Sequence, residues 1–454
     1  QLTNSLLSTP ESMVTFRRSF VPHLSMLQQK AADGRSREEG ASGLSSFTGE
    51  NLEGRSSMGY VGLLNPGCIC YMISVLQQLF MNQHFRDGIL RFNSSIIEDK
   101  RESVLYQLQN MFVWLQHSHR KAYLPVDFCH AFKDWDGNPT NLYVQQDADE
   151  FLKRAFDQIE GLLKGSRQET LVEDNFGGKL VNQIICTPPP NTEHKPYVSE
   201  REEKFPMLTL EVKGKKHISE SLQAYVEGDL LTGDNAYFCE QYNQKVPATK
   251  RVCIRDLPNT LILHLKRFEF DFDMMMNAKV NDYCEFPEEL NMFPFTEEGL
   301  QAPGTQEADL GSEGAENEAS DVASAGEAKR PASYYEYMLA GVVVHVGTID
   351  SGHYYSLIRD KSQESGGGTE RPQWCRFNDH MVSAFDFSAE LADECFGGTE
   401  AVLGEYGRSM YREKSKNAYM LIYQRRERFE NDIATESDAA SASETEDMED
   451  APAL

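Results

Sequence analysis

No apolar run in this chain approaches the ~18 residues that a membrane-crossing helix needs, and Gln1–Lys30 lacks the layout of a signal peptide. Basic residues are in deficit, with 44 Lys and Arg against 71 Asp and Glu. That balance argues against nucleic acid as the main partner and suits a basic protein ligand. A disulfide framework is missing as well. The nine cysteines are odd in number and scattered, mostly in apolar contexts. This is how reduced thiols are used inside cells, and we expect a cytoplasmic protein, with the nucleus as a second location. No internal repeat marks a solenoid.

What is present is a chain of 454 residues, 40% hydrophobic, with room for a large core. It begins at Gln1 without Met, and we expect a segment of a longer chain. The net charge of −27 is unevenly spread. Glu297–Ala328 and Phe429–Leu454 each carry nine acidic residues and no Lys or Arg, which leaves the body only mildly acidic. Low-complexity acidic stretches bury little. We therefore expect a disordered insertion at about 296–333 and a disordered acidic tail over 425–454. Residues 1–58 read as an N-terminal extension, with a Gly-, Ser- and charge-rich linker at Ala31–Ser57.

Between these lies one stretch with chemistry in it: Asn65-Pro66-Gly67-Cys68-Ile69-Cys70-Tyr71. Pro66 and Gly67 keep it from being helical throughout. Beyond it Met72, Val75, Leu76, Leu79 and Phe80 recur at helical spacing. Cys70 therefore stands where a polar loop enters a buried helix. Free N–H groups and the helix dipole there favour a thiolate. Asn65 can aim an amide N–H at an oxyanion formed beside that sulfur.

Further on, Val104–Gln116 reads as an amphipathic helix, and Asp147 opens another that runs through Leu162. Gln145, Asp147 and Glu150 fall near its N-terminus. From Phe176 the period drops to two. Strands are expected at Lys179–Ile185, Phe205–Val212, Ala248–Ile254, Thr260–Phe268, Tyr335–Val346, His353–Ile358, Trp374–Phe377 and Ala418–Gln424. Helices first and antiparallel strands afterwards make an α+β fold. A thiolate needs a base and a group to orient that base. His353 follows a Gly-containing turn and opens a strand, and Asn378 and Asp379 end another. His345, inside a strand, reads as a packed structural histidine.

Together these boxes resemble the ubiquitin-specific proteases, most of all the very large fat-facets-type members. The resemblance is carried by Asn65-x-Gly67-x-x-Cys70-Tyr71, Gln145-Gln146-Asp147-Ala148-x-Glu150-Phe151 and Leu261-Ile262-Leu263-His264-Leu265-Lys266-Arg267-Phe268. It continues in Ser351-Gly352-His353-Tyr354-Tyr355-Ser356, Trp374-x-x-Phe377-Asn378-Asp379 and Asn417-Ala418-Tyr419-Met420-Leu421-Ile422-Tyr423.

It implies a papain-like cysteine protease over 59–424, with a helical thumb (roughly Tyr60–Lys164) and a β-rich palm and fingers. The activity implied is hydrolysis after the C-terminal Gly of ubiquitin, with ubiquitin and ubiquitinated proteins as partners. A non-hydrolysing ubiquitin-binding scaffold is the alternative. Carried over by position, Cys70 is the nucleophile, His353 the base, Asn378 the orienting group, Asp379 an auxiliary and Asn65 the oxyanion donor. Gln145, Asp147 and Glu150 fall in the box that contacts the ubiquitin tail, and Gly352 and Tyr354 flank its channel. A neutral Asn378 fixes the ring's tautomer but stabilises an imidazolium less than a carboxylate does.

Two departures stand out. Cys68-Ile69 replaces a pair of small residues and adds a second thiol. The family's two Cys-x-x-Cys zinc pairs are each reduced to one cysteine, Cys186 and Cys239. Even with His194 as a third ligand, a closed tetrahedral site is not made. We expect no metal and no cofactor.

Overall fold

The computed structural model describes residues 54–189, 196–272, 275–301, 330–349, 351–361, 373–403 and 409–432. The N-terminal extension up to residue 53, His194, residues 302–329 of the acidic insertion and the tail from 433 lie outside the described residues.

The thumb is built from six helices: α1 (Cys70–Met81), α2 (Gln83–Arg91), α3 (Val104–His117), α4 (Val126–Ala131), α5 (Ala148–Leu163) and α6 (Leu171–Phe176). The anticipated helices agree with α1, α3 and α5 to within a residue at each compared end. The shorter α2, α4 and α6 carry too few turns to show a period. Their caps are legible afterwards. Asn82 ends α1, and its side chain accepts from Phe85 N–H (3.0 Å) to open α2. The same side chain donates to Thr260 Oγ1 (2.9 Å), tying thumb to palm. Two short strands, β1 (Gly62–Leu63) and β2 (Ala122–Tyr123), pair in parallel beneath the Cys70 loop.

The fingers follow. β3 (Gly178–Cys186), β4 (Tyr197–Phe205), β6 (Asp229–Leu231) and β9 (Ala248–Asp256) form a sheet in the order β4-β3-β9-β6, beside the hairpin β7 (Tyr237–Cys239)–β8 (Gln244–Val246). The strand expected over Phe205–Val212 is in fact two. Phe205 ends β4 and β5 (Leu208–Glu211) joins the palm. Pro206, with no N–H to donate, stands at the break. β4 itself is highly charged and exposed, as an edge strand is.

The palm sheet runs β17-β16-β15-β14-β20-β10-β5, with β13 (Glu289–Asn291) also on β14. Its members are β10 (Thr260–Lys266), β14 (Glu336–Gly347), β15 (Gly352–Asp360), β16 (Gln373–Asn378), β17 (Met381–Phe385) and β20 (Lys416–Arg425). All its pairings are antiparallel except β10 with β5. Both faces are buried. Ile262, Val343 and Met420 face the thumb core, while their neighbours Leu261, Leu263, Val342, Val344 and Leu421 face a second core that includes Ile218 and Leu222 of α7 (Ile218–Val226). Hence these strands read as continuous apolar runs. Hairpins β11 (Phe268–Asp271)–β12 (Met276–Lys279) and β18 (Thr399–Leu403)–β19 (Ser409–Glu413) extend from the palm, with α9 (Phe387–Cys395) against β20 and α8 (Glu297–Gln301) against β9 of the fingers. The expected α+β fold is the one seen.

Two expected boundaries are corrected. The insertion does not begin at 296, because α8 packs and Glu297 pairs with Arg255 of β9 (2.7 Å), while Arg330 reaches back to Asp256. Nor is the tail free from 425. Residues 426–432 are helical, and Phe429 and Asp432 are buried. An apolar and an acidic side chain inside an acidic composition found partners that composition does not show.

Candidate active site

Five elements converge on Cys70. The loop before α1 is shaped by Asn65, whose Oδ1 accepts from Gly67 N–H (3.1 Å) and Ile69 N–H (3.2 Å). The loop is also anchored by Cys68 N–H donating to Leu142 O (2.6 Å). A Cβ on Gly67 would collide with that same carbonyl, so the close approach requires glycine. Cys70 then begins α1 with Ile69 as an N-cap that offers no side-chain acceptor. The unpaired N–H groups of the first turn are left to favour an anion.

His353 is the second residue of β15 and lies beside the Cys70 thiol, with which it shares a hydrogen bond. Its Nε2 is 2.7 Å from Asn378 Oδ1 at the end of β16. The amide oxygen can only accept, so Nε2 carries the proton and Nδ1 is turned to the sulfur. The hydrogen bond to Cys70 raises the His353 pKa to about 9; burial opposes this, and the Asn378 bond adds to it. The raised pKa keeps an imidazolium beside the Cys70 sulfur through neutral pH, where it can support a cysteine nucleophile.

Asp379 follows in the tight β16–β17 turn at φ +50°, a left-handed conformation that Asp tolerates. Its carbonyl accepts from Leu63 N–H (3.0 Å), and its Oδ2 accepts from Asn65 Nδ2 (3.3 Å). One amide hydrogen of Asn65 is thereby fixed. The other remains available to an oxyanion at the sulfur.

Asp147 caps α5, accepting from Asp149 N–H (2.9 Å) and from the Tyr419 hydroxyl. Burial pushes its pKa up, and those two bonds work against the rise. Glu150, on the first turn of α5, takes Trp135 Nε1–H (3.2 Å) and Arg154 (2.8 Å). Gln145 is half-buried just before the helix. Gly352 opens β15, and a Cβ there would collide with His345 Nε2. His345 is indeed the packed histidine, buried between Phe268 and Tyr354.

Tyr354 departs from expectation. It is 1% exposed, and its hydroxyl takes the Ala148 N–H, so it packs beneath the N-terminus of α5 and is not a surface residue. The residue missed is Tyr419. It belongs to the closing box, but only the fold brings it to Asp147 across a separation of 272 residues. At the fingertip Cys186 and Cys239 lie together in a small apolar cluster with Val246 and Ala248.

The arrangement can activate a thiol, hold an oxyanion and protonate a leaving group. The sequence profile described as "Ubiquitin carboxyl-terminal hydrolase" matches residues 61–423. Human "Ubiquitin carboxyl-terminal hydrolase 24" is 36% identical over 388 residues, covering 82% of this chain and 14% of that protein. Mouse "Ubiquitin carboxyl-terminal hydrolase 9X" is 34% identical over 424 residues (82% and 16%). "Probable ubiquitin carboxyl-terminal hydrolase FAF" of Drosophila melanogaster is 33% identical over 425 residues (82% and 14%). The chain thus spans about a seventh of the length of these relatives. With a family profile that covers most of the chain, it belongs to the ubiquitin-specific proteases, a family of ubiquitin carboxyl-terminal hydrolases.

Proposed function

We propose that this chain is a thiol-dependent deubiquitinase that hydrolyses the peptide or isopeptide bond after the C-terminal Gly of ubiquitin on protein conjugates. The observation that carries the reading is the line Cys70–His353–Asn378 at a helix N-terminus, with Asn65 held by Asp379 beside it. The Cys70 thiolate attacks the Gly carbonyl carbon, and the carbonyl oxygen becomes an oxyanion facing the free Asn65 hydrogen. The His353 imidazolium gives its Nδ1 proton to the departing lysine amine. The neutral imidazole then takes a proton from water, which cleaves the thioester and restores Cys70.

The acidic end of α5, with Gln145, Asp147 and Glu150, suits the basic tail of ubiquitin, and Gly352 is held without a side chain by the close approach of His345. A binder without turnover needs none of the catalytic groups held in this register, and no feature favours that alternative. Nine free cysteines suit a reducing compartment, the cytoplasm or the nucleus. Among the described residues no helix is long and apolar enough to cross a membrane.

The direct test is ubiquitin carrying a C-terminal thiol-reactive group. It should label the protein once, at Cys70. Labelling of another cysteine, or none, would reject the assignment.

Two further outcomes are expected on a ubiquitin C-terminal amide. Asn65→Ala should lower kcat by roughly 10²–10³, as loss of one oxyanion donor does, with ubiquitin binding little changed. A normal kcat would remove Asn65 from the mechanism. The pH profile should also bear the mark of His353. Its pKa is raised, so the imidazolium survives well above the ordinary range and is lost only near pH 9. Turnover should therefore hold through neutrality and fall as pH rises through about 9. A fall centred near an ordinary histidine value of ~6.5 would show that the pair does not form.

A further inference from the structure

Eight of the nine cysteines are buried; the exception is Cys68, which is half-exposed and stands two residues before Cys70. We propose that Cys68 is a resolving thiol, which closes a reversible disulfide with Cys70 after a hydroperoxide has oxidised the nucleophile. The inference rests on the reading of Cys70 as the reactive thiolate.

Three observations carry it. First, Cys70 has the features that make a cysteine peroxide-sensitive: a helix N-terminus and a hydrogen-bonded histidine partner. Second, Ile69 between the two thiols is turn-like, at φ −104° and ψ 18°. A residue bent in this way holds its neighbours' Cα atoms about 5.5 Å apart, inside the range that a disulfide spans. Helical geometry aims side chains at i and i+2 apart, so closure requires the loop at Cys68, which lies outside α1, to turn that side chain toward the Cys70 sulfur. Third, no rival thiol is suited to the task. Cys129, whose sulfur lies 3.7 Å from Met72 Sδ, is buried, and burial pushes its pKa up to about 12.

The chemistry balances in two steps. The Cys70 thiolate attacks the terminal oxygen of the hydroperoxide. The S–O bond forms, the O–O bond breaks, and the alkoxide or hydroxide released takes a proton from the His353 imidazolium. Cys70 is oxidised by two electrons to the sulfenic acid, and the peroxide is reduced. Cys68 then attacks the Cys70 sulfur. The S–S bond forms, the S–O bond breaks, and hydroxide leaves as water with the Cys68 proton. An external dithiol reverses the second product by two exchanges, returning both thiols. Without Cys68, the sulfenic acid is open to a second peroxide and the irreversible sulfinic acid. Closing the disulfide also pulls on the loop that Asn65 and Leu142 hold, so the oxidised site is inactive twice over.

The experiment is hydrogen peroxide treatment of the whole chain, alkylation, and mass analysis of the peptide containing residues 68–70, alongside ubiquitin-amide turnover before and after a dithiol. In the unaltered protein the peptide should escape alkylation and be about 2 Da lighter than the dithiol form, and activity should return with the dithiol. Cys68→Ser should start within about twofold of normal activity and lose it at a similar rate. It should then recover at least ~5-fold less, with Cys70 found as sulfinic or sulfonic acid. Cys68→Ala should behave the same way. Cys70 over-oxidised beside an alkylated Cys68 in the unaltered protein, or full recovery of both variants, overturns the proposal. Absence of turnover in the reduced protein would count against the deubiquitinase reading instead, because the mass of the peptide reports the disulfide without it.

Discussion

Cys70→Ser is expected to reduce turnover of a ubiquitin C-terminal amide below detection while leaving ubiquitin bound with near-normal affinity, and His353→Ala should do the same. A serine hydroxyl has the right place but not the right acidity. An alcohol is far less acidic than a thiol, so the His353 partnership that suits a thiol nucleophile does not activate it to the same degree. Removal of His353 takes away two things together, the cation that stabilises the thiolate and the acid that protonates the leaving amine. The two losses should not add in the double variant, because the side chains act as one unit. Affinity should survive, since Asp147, Glu150 and Gly352 are held by α5, Tyr419 and the palm rather than by the nucleophile. Cys68→Ser, by contrast, should keep most of its turnover, because Cys68 lies outside α1 and its backbone N–H is what anchors the loop. Residual activity of Cys70→Ser near that of the unaltered protein, or its equal loss in Cys68→Ser, would displace Cys70 from the centre of the mechanism.

That centre was legible before any coordinates because each member sits in a short box with its own local logic. A Pro-Gly loop runs into an apolar helical period at Cys70, a glycine turn opens a strand at His353, and a tight turn ends one at Asn378. Contacts between distant segments were not legible. Tyr419 meets Asp147 and Asp379 meets Asn65 only because β20 and β16 are placed by the palm sheet. Charge also misled in two places. β4 shows no apolar alternation, because an edge strand with both faces wet has no reason to alternate. Residues 426–432 were submerged in an acidic tail, although two of them belong to the core.

Those two residues give the largest stability effect expected. Asp432 is 1% exposed, accepts from Lys361 Nζ (2.7 Å) and Gln424 Nε2 (2.6 Å) through one oxygen, and has His84 Nε2 3.0 Å from the other. Lys361, at the end of β15, is itself buried, and Phe429 lies 4.7 Å from both Lys361 and Arg359. The 426–432 helix is thus clamped across the ends of β15 and β20 and onto α2. Asp432→Ala leaves a buried ammonium with no counter-charge, a loss of about 3–5 kcal/mol where one partner of a buried pair is removed. Truncation after Arg425 should cost at least as much, since it also strips the Phe429 ring. In a domain of this size either change should lower Tm by at least ~5 °C. Replacing both ions, as Lys361→Met with Asp432→Leu, should restore most of it, because the penalty lies in the orphaned charge and not in the absence of the pair. The pH dependence has a definite sign. Burial raises the Asp432 pKa, but the adjacent His84 and the Lys361 charge outweigh it and hold the carboxyl well below the usual range. Its contribution is therefore present above the ~pH 4 of a free carboxylate and is lost only as the solution becomes strongly acidic. Urea unfolding of Asp432→Ala at neutral pH decides the matter. A change under ~0.5 kcal/mol, the scatter of surface substitutions, would show that the helix is carried along by the domain and does not hold it.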